Sequence, residues 1–354
     1  MIQSMDDITD KLPSGFEVGR LGIRHSRRFW FSTLALTEGR TPDRLTEYHL
    51  DRVLLDCLGI GLHQAIQYLL SNTPSFESFE QWVVDIAGEP NPDQVVRFNM
   101  EYEHLSPCAE HSHRAEKNPY NAILTHSDMQ FWHENGYIRI SNLIDPALIM
   151  NACDAVWQAT GALPTDNASW YLGSRSGIMI ELIQHPALKA IRRSSMIHRV
   201  FSELWGTGHL WTSADRCSFH PPQTSIHAFQ GPDLHWDVDV NHTVSLFTQG
   251  LVYLTDTPAE QGALTLVPGF HHRFQDWIND RGLNPQIDLE ELHARGSTPI
   301  AGKAGDLIIW HHWLPHGSRP NLGNLPRVVQ YLNMYPMHLD YGDKACNATR
   351  TMIS

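Results

Sequence analysis

The sequence predicts an α+β protein, with helices gathered in front and a β-sandwich or barrel behind. Three observations carry this reading. Apolar residues recur at helical spacing between residues 41 and 87. Beyond residue 205 the chain breaks into short apolar runs bounded by Gly, Pro and Asp. With 354 residues, 42% hydrophobic and 18% charged, it can bury a sizeable core and is long enough for two domains.

Thr41-Pro42-Asp43 sets a cap before a proline at the first helical position. Leu50, Val53, Leu54, Cys57 and Leu58 follow at i, i+3, i+4, i+7 and i+8, predicting one amphipathic helix running on toward Leu70. Phe76, Phe79, Val83 and Ile86 repeat the spacing before a stop at Gly88. Residues 1 to about 120 thus read as a helical N-terminal extension and 121–354 as the second domain, divided in the polar, proline-containing stretch 101–121. Thr125-His126-Ser127-Asp128 forms a capping box for a helix ending near Gly136, and Tyr137-Ile138-Arg139-Ile140 alternates as a strand does. Asp145-Pro146 opens a further helix that Gly161 stops. Residues 249–255, 262–267, 306–310 and 327–334 read as strands.

Lys+Arg 26 against Asp+Glu 39 leaves a net charge of −13, so no basic field exists for nucleic acid or anionic lipid. The five cysteines are scattered without a C-x-x-C pair and read as reduced thiols. The first residues carry Asp6, Asp7 and Asp10 with no apolar signal core, and no apolar stretch approaches the ~20 residues of a membrane span. A soluble, cytoplasmic protein acting on a small molecule is expected. The apolar faces of the N-terminal helices are expected to pack on the second domain, with a homodimer contact as the runner-up.

The 22 histidines raise a metal question that position must answer. His-x-Asp occurs four times, against about 2.4 expected by chance for any His-x-acid pair, so context decides. His49/Asp51 lies within a helix, where i and i+2 diverge. His126/Asp128 is better used as a cap, and His338/Asp340 follows the last strand. His235-Trp236-Asp237 differs, because i and i+2 on an extended strand face one side and can grip one ion. Two histidines and one carboxylate form the facial set that leaves positions of a ferrous ion open, whereas structural zinc prefers four closed ligands. His271, His272, His311, His312 and His316 could each supply the second histidine. On a continuous strand His312 lies roughly 13 Å before His316 at ~3.3 Å per residue, and His311 faces the other way. His271-His272 reads as a solvated or core-satisfied turn. Arg327 opens a mostly apolar strand, where its bidentate fork suits the carboxylate of a small cosubstrate.

The segments 125–146, HWDVD (235–239), LTDTPAEQGALTLVPGFHH (254–272) and GDLIIWHHWLPHGSRPNLGNLPRVVQYLNM (305–334) together resemble the phytanoyl-CoA dioxygenase-like family of Fe(II)/2-oxoglutarate oxygenases. The resemblance spans about residues 123–336. It implies a double-stranded β-helix of jelly-roll or cupin type, with flanking helices. It implies iron held by His235, Asp237 and His316, with Arg327 and the Ser318 hydroxyl binding the distal carboxylate of 2-oxoglutarate. It also implies O₂ as cosubstrate and C–H oxidation with release of succinate and CO₂. Asp237 is intact, whereas relatives that halogenate carry a small residue there, which favours hydroxylation. Leu251 stands where many relatives have tryptophan, and no match covers residues 1 to about 120. Arg216, Asp239, His312 and Asn333 are candidate substrate contacts; Trp236 reads as core. Two alternatives stay open: a metal-dependent isomerase or hydrolase on the same barrel without 2-oxoglutarate, and a non-catalytic sandwich whose helical N-terminus binds a partner.

Overall fold

The computed structural model describes residues 12–36, 47–104, 122–172, 177–237, 244–282 and 287–339. The chain divides into two compact units, 1–109 and 110–354. The boundary expected near residue 120 falls within 105–121, outside the described residues.

The first unit carries α1 (Ser26–Ala35), α2 (Tyr48–Leu58), α3 (Leu62–Asn72), α4 (Phe76–Ala87) and α5 (Pro92–Glu103). The single helix expected to run toward Leu70 is two helices, because Gly59 takes a left-handed conformation (φ 71°) and ends the first at a 95° bend. The cap read at Thr41-Pro42 lies outside the described residues. Ser75 caps α4 through the Ser78 amide, and Gly88 follows its end as expected. Asp51 is no chelator. It meets the buried His25 Nε2 at 2.8 Å. No single helix among the described residues is long and apolar enough to cross a membrane.

The second unit begins with α6 (His126–Asn135), β1 (Tyr137–Ile140) and α7 (Pro146–Thr160). All three follow the sequence reading, down to the Thr125/Asp128 capping box, the Asp145 cap and the left-handed glycines 136 and 161. Next come β2 (Met179–Ile180), α8 (Pro186–Arg192), α9 (Ser195–Trp205), β3 (Trp211–Thr212), β4 (Cys217–His220), β5 (Thr248–Tyr253) and β6 (Thr265–Leu266). The chain continues through α10 (Phe274–Arg281), α11 (Leu289–Ala294), β7 (Thr298–Pro299), β8 (Leu307–His311), β9 (His316–Gly317), β10 (Arg327–Tyr331) and β11 (Met334–Tyr335). The half beyond residue 205 is therefore not all β. Phe274, Trp277, Ile278 and Leu292 bury apolar faces of α10 and α11 between strands.

An antiparallel sheet in the order β1-β8-β5-β10-β4-β2 dominates the unit, beside a small antiparallel sheet β7-β6-β9 and the pair β11-β3. The six-stranded sheet has two faces of different character. On one, Phe219, Val252, Leu307, Ile309 and Val328 pack with Val156, Leu188, Ile191, Val200 and Phe201 of the helices. On the other, Leu251, Tyr253, Ile308, Trp310 and Val329 join Leu266, Trp236 and Phe270 in a second cluster. Strand alternation sorts side chains between these faces residue by residue. Trp236 is buried there against Phe270, Phe274 and Trp277, as expected of a core residue.

Candidate active site

His235, Asp237 and His316 come together on the inner side of the sheet, with one ligand atom of each lying within 4.8 Å of the others. The expected strand through 235–237 is a single bridge: His235 exchanges both backbone hydrogen bonds with His316 (2.9 and 3.0 Å), and the chain then bends at Asp237. Nor is 311–316 one extended strand. A turn over His312-Trp313, closed by the Leu314 amide donating to the His311 carbonyl at 2.9 Å, separates β8 from β9. The separation of roughly 13 Å at ~3.3 Å per residue expected of a continuous strand therefore does not apply to His312 and His316. The structure instead occupies the His312 Nδ1 with the Phe247 carbonyl, 2.9 Å away. His311 lies on the helix-packed side, its ring 6.4 Å from Trp132 and 5.3 Å from His271. His271 and His272 both reach the His133 carbonyl.

The donor set fits a cation. His235 Nδ1 lies 2.7 Å from the Asp233 carbonyl and His316 Nδ1 3.0 Å from that of Leu314. A carbonyl only accepts, so each Nδ1 carries the hydrogen and each Nε2 presents a lone pair. Those Nε2 atoms lie 3.3 and 3.2 Å from Oδ1 and Oδ2 of Asp237. Three acceptors facing one another need a positive charge between them. Where protons take the place of an ion, burial raises the Asp237 carboxyl, but the Nε2–H donors and charges of protonated His235 and His316 outweigh it and hold the group well below the usual carboxylate range. Burial likewise lowers His235, and Asp237 and Asp233 more than reverse that.

Arg327 sits at the start of β10, only 1% exposed, on the same inner face. Its Nη1 donates to the Gly262 carbonyl and to Ser318 Oγ (3.0 Å), while Nε and Nη2 have no partner. Among the described residues no carboxylate pairs with this guanidinium. A buried cation with two unpartnered donor nitrogens calls for an anion. Sequence reasoning missed its neighbours. His220 lies directly opposite Arg327 in the β4–β10 register, and Ser218 shares its face. The His220 Nδ1 and the Ser218 Oγ are both buried without a partner. Burial and the Arg327 charge push His220 down to about 3, so it is neutral near pH 7. Cross-strand register puts it there, which no local motif records. Gln249 was missed for the same reason. It stands opposite Trp310 and donates to Asp237 Oδ2 at 2.6 Å.

The remaining substrate candidates separate. Arg216, two residues before Ser218 and just ahead of β4, pairs with Glu181 at 3.2 Å. The buried His312 Nε2 has no partner. Asn333 spends its side chain within the sheet, on Thr248 and the Met334 amide. Asp239 lies outside the described residues.

The model of the phytanoyl-CoA dioxygenase family matches residues 132–329. A Dictyostelium discoideum protein named phytanoyl-CoA dioxygenase is 26% identical over 95 residues, or 25% of this chain, which spans only 27% of that relative's length. The methylphosphonate hydroxylase of Gimesia maris is 23% identical over 220 residues, 60% of this chain and 81% of its own. Among solved structures, the non-haem α-ketoglutarate-dependent carbocyclase SnoK of nogalamycin biosynthesis aligns at 18% identity and TM-score 0.47, covering 64% of this chain and 91% of its own. EvdO2 of Micromonospora carbonacea var. aurantiaca, complexed with 2-oxoglutarate, aligns at 15% and 0.44, covering 62% and 93%.

Proposed function

The chain belongs to the phytanoyl-CoA dioxygenase family of iron- and 2-oxoglutarate-dependent oxygenases, and from that premise we propose that it hydroxylates a C–H bond of a small polar metabolite, releasing succinate and CO₂. His235, Asp237 and His316 would hold Fe(II), leaving three positions open. With 2-oxoglutarate and O₂, the iron supplies oxidising power that no side chain here possesses.

The observation that carries the reading is the buried, half-partnered Arg327 beside this triad. Ser318 accepts from Arg327 Nη1 and keeps its own hydrogen to give. It stands two residues beyond His316, roughly 6.6 Å at ~3.3 Å per residue, the reach of a five-carbon diacid. Arg327 Nε and Nη2 take the distal carboxylate, and the neutral His220 adds a donor without adding charge. Leu251, Ile308 and Val329 exclude water beside it. We read the six-stranded and three-stranded sheets enclosing this cluster as the two layers of a double-stranded β-helix.

Hydroxylation is supported by the carboxylate at position 237. A small polar substrate is supported by the substrate named for the Gimesia relative and by the Arg216–Glu181 pair on the inner-face side of β4. The test adds Fe(II) and 2-oxoglutarate to the full chain without oxygen, then screens metabolites for O₂ uptake and succinate. Metal binding without 2-oxoglutarate binding or succinate would shift the reading to an isomerase or hydrolase.

A further inference from the structure

The geometry points to Gln249 as a positioning residue that holds the Asp237 carboxylate to metal ligation through a single oxygen; this rests on the metal reading given above.

The two histidines are held by main-chain carbonyls, but Asp237 is not. Its side chain is 53% exposed and follows a bend rather than a strand. Among the described residues, the one group outside the triad that bonds this carboxylate is Gln249, whose Nε2 donates to Oδ2. The orientation of that amide is settled by its other end. Trp310 Nε1 lies 3.1 Å from Gln249 Oε1, and an indole nitrogen is a donor only. The amide oxygen must therefore face Trp310, which turns the NH₂ toward Asp237. Antiparallel register fixes both residues opposite each other on β5 and β8. The Trp310 ring also packs 5.2 Å from that of His316, so one indole supports two members of the triad.

An N–H bonded to Oδ2 occupies one of its lone pairs and makes it the poorer ligand, leaving Oδ1 to the ion. A bidentate carboxylate would take one of the positions that a facial triad leaves open. The Trp310–Gln249–Asp237 chain thus preserves the vacancy the reaction needs.

The test uses the full-length chain stripped of metal and titrated with Co(II), whose visible absorption reports coordination number. Gln249→Leu removes both bonds. Trp310→Phe leaves the amide in place but frees its orientation. Gln249→Leu is expected to weaken Co(II) about 10- to 100-fold, the range for removing a group that orients a ligand, and to change the absorption band. Trp310→Phe is expected to shift affinity and band in the same direction by less. Melting of the metal-free proteins separates these effects from misfolding. If Gln249→Leu melts early, Gln249→Met, which keeps the length of the side chain but offers neither a donor nor a charge, takes its place. Wild-type Co(II) binding with unchanged affinity and band in the variants would overturn this inference alone. Failure of the wild type to bind Co(II), matched by His316→Ala, would overturn the metal reading beneath it.

Discussion

Replacing Arg327 with Met separates what the guanidinium does for the fold from what it does for a ligand. Nε and Nη2 are buried and unpartnered, so a bound carboxylate gains two charge-assisted hydrogen bonds, each worth about 1.5–3 kcal/mol. Losing both removes about 3–6 kcal/mol, and at 1.4 kcal/mol per tenfold the 2-oxoglutarate affinity should fall about 100- to 10,000-fold. Without ligand the effects oppose each other. Removing an uncompensated buried charge stabilises by about 1–4 kcal/mol, while stranding the Gly262 carbonyl costs about 1–3 kcal/mol. The net change runs from about 3 kcal/mol stabilising to about 2 kcal/mol destabilising, so the metal-free, ligand-free protein should melt between about 8 °C below and about 12 °C above wild type, at ~2–4 °C per kcal/mol for a unit of this size. Anaerobic calorimetry of 2-oxoglutarate binding to the Co(II) form, paired with melting curves, measures both. An affinity within threefold of wild type refutes the anion-site argument. A large drop in melting temperature would mean that Arg327 is chiefly structural.

Other outcomes follow from the same geometry. His316→Ala should lose Co(II) binding and turnover, whereas His311→Ala, on the helix-packed side, should keep metal content near wild type by elemental analysis. Gly262→Ala should weaken 2-oxoglutarate and lower the melting temperature, because Gly262 has φ +64° and a Cβ there would come within 2.6 Å of the His220 ring. Burial pushes His220, His311 and His312 down to about 3, 2 and 4, helped at His220 by the Arg327 charge, so the unfolded chain binds their protons first as pH falls below 6.5. Stability should fall from pH 6.5 toward 4, by up to about 4 kcal/mol per pH unit for three protons. Urea titrations across that range check it, and His311→Asn should flatten the slope; a flat profile in wild type would contradict neutral burial.

What the sequence disclosed follows the range of each interaction. The capping box at Thr125, the Asp145-Pro146 start and the glycine stops at 136 and 161 are contacts within a few residues, and all stand where the spacing put them. The break at Gly59 was passed over because apolar periodicity continues on both sides of it, and a single left-handed residue leaves no mark on that period. His235, Asp237, His316 and Arg327 could be singled out because few roles suit those residue types at those spacings; the structure brings ligand atoms of the first three within 4.8 Å of one another and buries Arg327 at the start of β10. The strand assumed for 235–237 was not needed, since one bridge to His316 suffices to aim the side chains. His220 and Gln249 were invisible because their meaning comes from partners 107 and 61 positions away in sequence, joined only by strand register.

The two-sided character of the six-stranded sheet bears on how such a protein diversifies. Along β10, Arg327 and Val329 face the ligand side while Val328 and Gln330 face the helices, Gln330 reaching the Leu188 carbonyl. Substitutions with the parity of Arg327 can alter what is bound and leave the helical layer undisturbed; those of opposite parity alter persistence of the fold without touching recognition. Selection can thus act on chemistry and on durability through alternate letters of the same short words. A deep substitution scan of β4, β5 and β10 should show tolerance for activity and tolerance for abundance oscillating out of phase, with a period of two residues.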